Sequence, residues 1–295
     1  MAPSSGDLFK RVAVAVVGIP VVVALVYVGG WALGALVGAV AALAAFEFYA
    51  LAEARGIKPF TGLGAVASAA LVALAVWRPD PSEWGLLALL VLVAVGLASL
   101  GACIWLRWPG GEPLGATAVT LTGVAYTGAT LSFVPILRWL PTELPGVVGG
   151  SRWLATGFVL LPVLTTWAGD SAAYFAGRAW GRARLAPAVS PGKTIVGAVA
   201  GLIGSLLVAV ALSLVSLEGV RFLPVGVVMA GWIGLLLGAV GQVGDLAESV
   251  LKREANVKDS GKLLPGHGGV LDRMDSLFFA VPATWALLLA AGVIE

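Results

Sequence analysis

Charge is scarce in this sequence, and so are the side chains that build disulfide frameworks and zinc centres. Of 295 residues only 12% are Asp, Glu, Lys or Arg, against 59% hydrophobic, whereas a soluble domain usually carries about 25% charged residues. Lipid is the solvent that suits such a composition. One cysteine and one histidine exclude a disulfide framework and a Cys/His zinc cluster. Cys103, next to Ile104 and Trp105 in an apolar run, reads as a small hydrophobic residue. A formal net charge of +2 is too small to argue for nucleic acid as a partner. Period-two alternation is missing as well, which argues against a membrane barrel and leaves helices to satisfy the backbone in lipid.

What the chain does have is apolar runs near the roughly 20 residues that a bilayer crossing takes. They fall at 12–28, 31–46, 61–77, 84–106, 115–137, 153–175, 194–217, 223–243 and 277–294. The expectation is an all-α polytopic membrane protein with about nine transmembrane helices. Only Gly29 and Gly30 part the first two runs, so that hairpin has to be tight. Lys10 and Arg11 precede the first run as they would in a signal peptide, but no convincing small-residue cleavage site follows, and the run is read as retained.

Alternate loops then differ in basic charge. One set holds Lys10, Arg11, Arg55, Lys58, Arg107, Arg178, Arg182, Arg184, Lys193, Lys252, Arg253, Lys258, Lys262 and Arg273; the other holds Arg78, Arg138, Arg152 and Arg221. By the positive-inside rule the first set, and with it the N-terminus, belongs in the cytoplasm.

Chemistry divides the chain near residue 150. Residues 1–150 read as a transmembrane scaffold with short loops, where no side chain demands a catalytic role, and 151–295 as the catalytic region of one continuous membrane domain. Two segments of the latter are dense in polar residues, 170–194 and 245–276. No internal repeat is visible and the charges do not recur through successive span centres, which disfavours a transporter of anionic solutes.

In the second segment Asp245, Glu248, Ser249 and Lys252 share one face if the stretch is helical, and Asp272, Asp275 and Ser276 repeat the spacing. Between them lie Lys258, Asp259, Lys262 and His267 among glycines. Carboxylates amid Lys and Arg suit phosphate handling, because Mg²⁺ binds through one or two carboxylates plus phosphate oxygens. The alternative is a solvated loop whose carboxylates only pair with Lys252 or Arg273. His267 reads as a substrate contact or loop residue at least as readily as a proton carrier. In the first segment Asp170 lies near the end of an apolar span, where an ionisable residue is costly and so a functional candidate; pairing to Arg178 or Arg182 is the competing reading. The SPGKT stretch is no P-loop, since the first glycine of that motif is absent. Ser190, Lys193 and Thr194 can still donate to phosphate at the start of the next helix.

The run SVLKREANVKDSGKLLPGHGGVLDRMD, residues 249–275, resembles the signature of the phosphatidate cytidylyltransferase family in Ser249, Lys252, Arg253, Lys258, Asp259, Pro265, His267 and the Asp272-Arg273 pair with Asp275. DSAAYFAGR and SPGKT look like that family's other polar segment. Gly192 departs from it, where relatives commonly carry a lysine, as does Val196, where they carry an acid. The resemblance implies transfer of the cytidylyl group of CTP to phosphatidic acid, giving CDP-diacylglycerol and pyrophosphate, by an enzyme of the plasma membrane whose site faces the cytoplasm. It further implies Mg²⁺ held by Asp245 and Asp272, a second monovalent cation such as K⁺, catalytic roles for Asp275, Lys258, Asp259 and Arg273, and a homodimer. Asp170, Ser190, Lys193, Thr194, Ser249, Lys252, Arg253 and His267 would contact substrate. The alternative enzyme is a CTP-dependent polyprenol or phytol kinase.

Overall fold

A computed structural model describes residues 5–140, 152–217, 219–261 and 268–294. It is 78% helical, in keeping with the all-α expectation. Each of the nine apolar runs is helical over most of its length, the run 194–217 starting on a strand residue and ending on another: α1 (Ser5–Val28), α2 (Gly30–Glu53), α3 (Thr61–Trp77), α4 (Pro81–Leu106), the broken α5 (Pro113–Gly123), π-turn (Val124–Ala129) and α6 (Phe133–Trp139), then α7 (Arg152–Trp180), α8 (Ile195–Leu214), α9 (Val227–Glu254) and α10 (Leu271–Ala290). Among the described residues, six stretches are long and apolar enough to cross a membrane: α2, α4, α5 through α6, α8, α9 and α10. Two short antiparallel hairpins complete the chain, β1 (Arg184–Ala186) with β2 (Ser190–Thr194), and β3 (Ser216–Leu217) with β4 (Val220–Arg221).

Helix ends follow local chemistry. Asp80 caps α4 by accepting the Ser82 and Glu83 amides, with Pro81 in the first turn. The tight α1–α2 junction uses Gly29 and Gly30 at φ 69° and 57°, a region open to glycine because it has no Cβ. Outward surfaces are apolar: Leu86, Leu89, Leu90, Val93, Leu97, Leu100 and Ile104 of α4 are exposed, while Ala88, Val95, Gly96, Ser99 and Cys103 turn inward. That reversal is what lipid permits, and packing then depends on close backbone approach between small residues.

The approach is closest where α7, α8 and α9 meet. A Cβ on Gly197 would lie 2.8 Å from the Ala173 carbonyl, one on Gly201 3.1 Å from that of Gly169, and one on Gly204 3.0 Å from that of Ala168. All three glycines therefore seat α8 on α7 within the chain. Ser205 Oγ donates to the Thr165 carbonyl across the same seam at 2.8 Å, and α9 reaches it through Gly234 and Gly238.

Charged side chains gather at the two ends of α2. Near its start, Arg138 donates to the Val26 and Tyr27 carbonyls at 2.7 and 2.6 Å, Arg152 stands over the Tyr27 ring, and Arg138 and Pro79 wall one cleft. Beyond its finish, Arg107 donates to the Lys58 and Pro59 carbonyls. The polar segments belong to that second end, because Glu47 of α2 binds Ser260 and Leu271 there.

The α7–α8 seam is open to test. Gly204→Leu should lose about 1–3 kcal/mol, the usual cost of overpacking, because a backbone carbonyl blocks the new side chain. Gly192→Ala, where a Cβ meets nothing within 4 Å, should leave thermal unfolding in detergent unchanged.

Candidate active site

The polar face of α7 follows from helical spacing: Asp170, Ala173, Tyr174, Gly177 and Arg178 recur every three or four residues along it. Past Gly181 the chain folds into the β1–β2 hairpin, which pairs Arg184 with Thr194. The SPGKT stretch is thus β2, a hairpin strand. It delivers Lys193 two residues ahead of α8, and buried Thr194 caps that helix by accepting the Gly197 amide at 3.1 Å. Gln242 and Asp245 of α9 face this assembly, Gln242 fixed by donating to the Ala198 carbonyl at 3.0 Å.

Together these residues enclose a cavity of about 660 Å³ lined by Asp170, Arg178, Arg184, Lys193, Gln242 and Asp245 along with small residues of α7 and α8. Its size falls within the range of roughly 300–1,000 Å³ usual for small-ligand sites. Lys193 Nζ lies 2.6 Å from Asp245 Oδ2, both side chains about a quarter exposed at 25% and 30%. Three cations and the positive end of α8 converge there, an arrangement suited to an anion.

A second polar cluster lies further along α9. Lys252 Nζ donates to Glu248 Oε2 and to Asp272 Oδ1, each at 2.7 Å. Glu248 is fully buried and the Asp272 side chain only 8% exposed. The other Asp272 oxygen, Oδ2, accepts the amides of Ser260 at 2.9 Å and Gly269 at 2.8 Å. Glu47 Oε2 in turn accepts the Ser260 hydroxyl at 3.1 Å and the Leu271 amide at 2.7 Å. Asp275 stands between the two clusters: its carboxylate feels the charges of Asp245, Asp170 and Lys252, and its carbonyl packs against Gly244.

The structure therefore gathers Asp170, Lys193, Thr194 and Asp245 at the cavity, and Lys252 with Asp272 in the adjoining network. Ser190 opens β2. Ser249 is buried within α9. Arg253, Lys258, Asp259 and Arg273 are exposed, Arg253 donating to the Val189 and Val257 carbonyls. Lys262 and His267 lie outside the described residues. Among the described residues Asp170 forms no ion pair within 4 Å, whereas Asp272 has the Lys252 partner that the competing reading gave it.

A divalent cation fits this donor set unevenly. Asp245 borders the cavity with one cation partner, while both Asp272 oxygens are engaged. Among the described residues no three His, Cys, Asp or Glu side chains stand close enough to hold a metal on their own, so substrate oxygens would have to complete the shell, as Mg²⁺ sites ordinarily allow. Five contributors carry no site role in the sequence analysis. Arg178 and Tyr174 lie in the DSAAYFAGR stretch, Arg184 and Gln242 carry no distinguishing pattern, and Glu47 is an acid inside an apolar helix, which is itself a signal of function.

The fold and cavity define a helical protein with membrane-length apolar helices and a cavity that gathers cations and carboxylates. A sequence profile of the Cytidylyltransferase family matches residues 9–291. The chain is 33% identical over 294 residues to a Synechocystis sp. protein named phosphatidate cytidylyltransferase, with 94% of each chain covered. To a protein of the same name from Pseudomonas aeruginosa it is 36% identical over 288 residues, 97% of this chain and 98% of the other. One from Haemophilus influenzae is 48% identical over 129 residues, 42% of this chain and 43% of that one. The chain belongs to the phosphatidate cytidylyltransferase family.

The buried network makes a stability forecast. Lys252→Met should cost about 3–5 kcal/mol, the usual result of leaving a buried charge unpaired, since Glu248 would keep no cation. Thermal unfolding of the purified protein should show this loss, and adding Glu248→Gln should recover part of it.

Proposed function

We infer that this protein transfers the cytidylyl group of CTP to phosphatidic acid, forming CDP-diacylglycerol and pyrophosphate. The observation that carries the reading is the cavity in which Arg178, Arg184 and Lys193 meet Asp170 and Asp245 where helices of a membrane protein end. Family membership supports the same conclusion, and the relatives' shared name does not favour a lipid kinase. A phosphate oxygen of the lipid attacks the α-phosphorus of CTP, the new P–O bond forms, and the bond to the β-phosphate oxygen breaks. The nucleophile is already ionised near neutral pH, so no base is required. Catalysis then rests on alignment and charge stabilisation.

Lys193, Arg178 and Arg184 would hold the triphosphate, and Arg253, Lys258 and Arg273 would meet phosphate groups at the exposed margin, with Asp259 among them. Ser190, Thr194, Ser249 and His267 are kept as substrate contacts on the strength of the family signature. Mg²⁺ would rest on Asp245 together with substrate oxygens, and Asp272 would join only by exchanging Lys252 for the metal. When bound, it would neutralise charge on the phosphates during displacement. A monovalent cation such as K⁺ belongs to the same expectation. A homodimer is proposed from family likeness alone, because the Gly197, Gly201 and Gly204 stripe is already engaged inside the chain.

The membrane arrangement proposed is nine spans in the plasma membrane with the polar segments cytoplasmic, supported by the sorting of basic residues to the two ends of α2. Cys103 is the one cysteine in the sequence and is buried, so introduced cysteines report cleanly. Arg182→Cys should react with an impermeant thiol reagent only from the cytoplasmic side, and Arg221→Cys only from the other; labelling of both from one side would overturn the arrangement.

Incubation of purified protein with CTP, phosphatidic acid and Mg²⁺ tests the reaction. CDP-diacylglycerol with pyrophosphate is the expected pair of products, whereas CDP with a phosphorylated alcohol would indicate a kinase. Asp245→Asn should fold normally and lose turnover by a factor on the order of 10³, as removal of a charge-stabilising group typically does; near-normal turnover at ordinary Mg²⁺ would remove it from the metal. Gly192→Lys should be accommodated, since its Cβ position is open and its φ is not positive, and should lower KM for CTP.

A further inference from the structure

Glu47 stands out among groups that the proposed reaction leaves unused. It comes from α2, in the half of the chain without polar segments, yet its carboxylate lies more than 200 residues away in sequence from the groups it binds, Ser260 and Leu271, at separations of 213 and 224. An acid within an apolar helix is expensive to bury unless its oxygens are paired. Its partners are not scattered. The Leu271 amide is a first-turn donor of α10, one that the helix itself cannot satisfy, and the Ser260 amide is held by Asp272, the next residue of that helix.

The backbone has been shaped around this carboxylate. A Cβ on Gly261 would collide with Glu47 Oε1, and one on Gly269 with Glu47 Oε2 and Ser260 Oγ. Glycine at both positions lets two strands of chain close over one side chain. Glu47 Oε1 is itself buried and lacks a partner among the described residues, so the acid is not placed there for its own solvation. Through Ser260, Asp272 and Lys252 the same hydrogen bonds run on to Glu248 of α9.

We propose that Glu47 is a positioning residue for cytidylyl transfer: it clamps Ser260–Gly261 to Gly269–Leu271 and so fixes where Asp272 and the exposed Lys258 and Arg273 stand relative to α9. It touches no substrate, and its effect is transmitted through the segment it holds. This rests on the reaction proposed above. Loss of the clamp should let the segment drift by an ångström or so, which can cost on the order of 10² in rate.

The test compares Glu47→Ala, Glu47→Gln and Gly261→Ala with the unaltered protein, all purified in detergent. Glu47→Ala should lower kcat about 100-fold and change KM for CTP by less than about threefold, since the loss falls on the transition state. Glu47→Gln, whose amide oxygen can accept both the Ser260 hydroxyl and the Leu271 amide, should recover most of the rate. Gly261→Ala should slow turnover in the presence of Glu47 and much less in the Glu47→Ala background, where the space is vacated. Amide exchange at Ser260 and Gly269 should quicken in Glu47→Ala, a readout independent of turnover. Equal turnover in Glu47→Ala and the unaltered protein would overturn the proposal, as would unchanged exchange or failure of Glu47→Gln to fold, which would make the residue part of the scaffold. Absence of CDP-diacylglycerol from the unaltered protein would instead overturn the reaction, and faster exchange in Glu47→Ala would still support the clamp.

Discussion

One largely enclosed ammonium, with its side chain 12% exposed, ties the ends of two helices together in the polar half of this protein. Lys252 bridges Glu248 of α9 and Asp272 of α10 at 2.7 Å on each side. Each carboxylate would be costly alone in that setting, and the single cation makes both tolerable. Because Asp272 also takes the Ser260 and Gly269 amides, the bridge sets the course of the chain between the two helices as well as their spacing. The direction of dependence is from charge to backbone, the reverse of what packing alone would produce in a lipid solvent.

The cavity depends on a different constraint, the absence of side chains. Gly177 lies against Thr194, and Gly197 against the Ala173 carbonyl, so α7 and the start of α8 approach closely enough for a short hairpin to cross their ends. Larger residues at these positions would push Lys193 away from Asp245. Backbone proximity and site geometry are thus the same fact described twice. The second cluster sits where α9 and α10 touch at Gly244 and the Asp275 carbonyl, so Asp275 comes within electrostatic range of the cavity without lining it.

Much of the helical plan could be read in the sequence because lipid leaves its mark on composition: each apolar run is helical over most of its length, and the Gly29-Gly30 junction is as tight as its length required. The shared face of Asp245, Glu248, Ser249 and Lys252 was likewise readable from spacing, since α9 continues to Glu254. What spacing could not reveal was partnership. The family resemblance gives Asp245 and Asp272 the same metal-holding role, yet one faces the cavity and the other is enclosed by a lysine and two amides. That distinction is made by contacts between residues far apart in the chain. Glu47 was overlooked for a related reason: an acid in a region of ordinary scaffold helices acquires meaning only once Ser260 and Leu271 are seen beside it. Gly197, Gly201 and Gly204 recur at helical spacing, but spacing alone cannot name the helix they pack against, which is α7.

The outer wall of the cavity has a kinetic consequence. Tyr174 lines the cavity while remaining exposed, and Phe175 and Trp180 on the same helix are exposed as well, the aromatic edge expected where hydrocarbon gives way to headgroups. In the proposed membrane arrangement, a lipid drifting in the bilayer plane would meet that edge first. Its supply is then counted in molecules per unit of membrane area, whereas a nucleotide arrives from a volume. Diluting the bilayer with inert lipid at constant bulk concentrations would starve one substrate and leave the other untouched, so the enzyme's apparent affinity for its lipid is a property of the membrane's composition as much as of the protein.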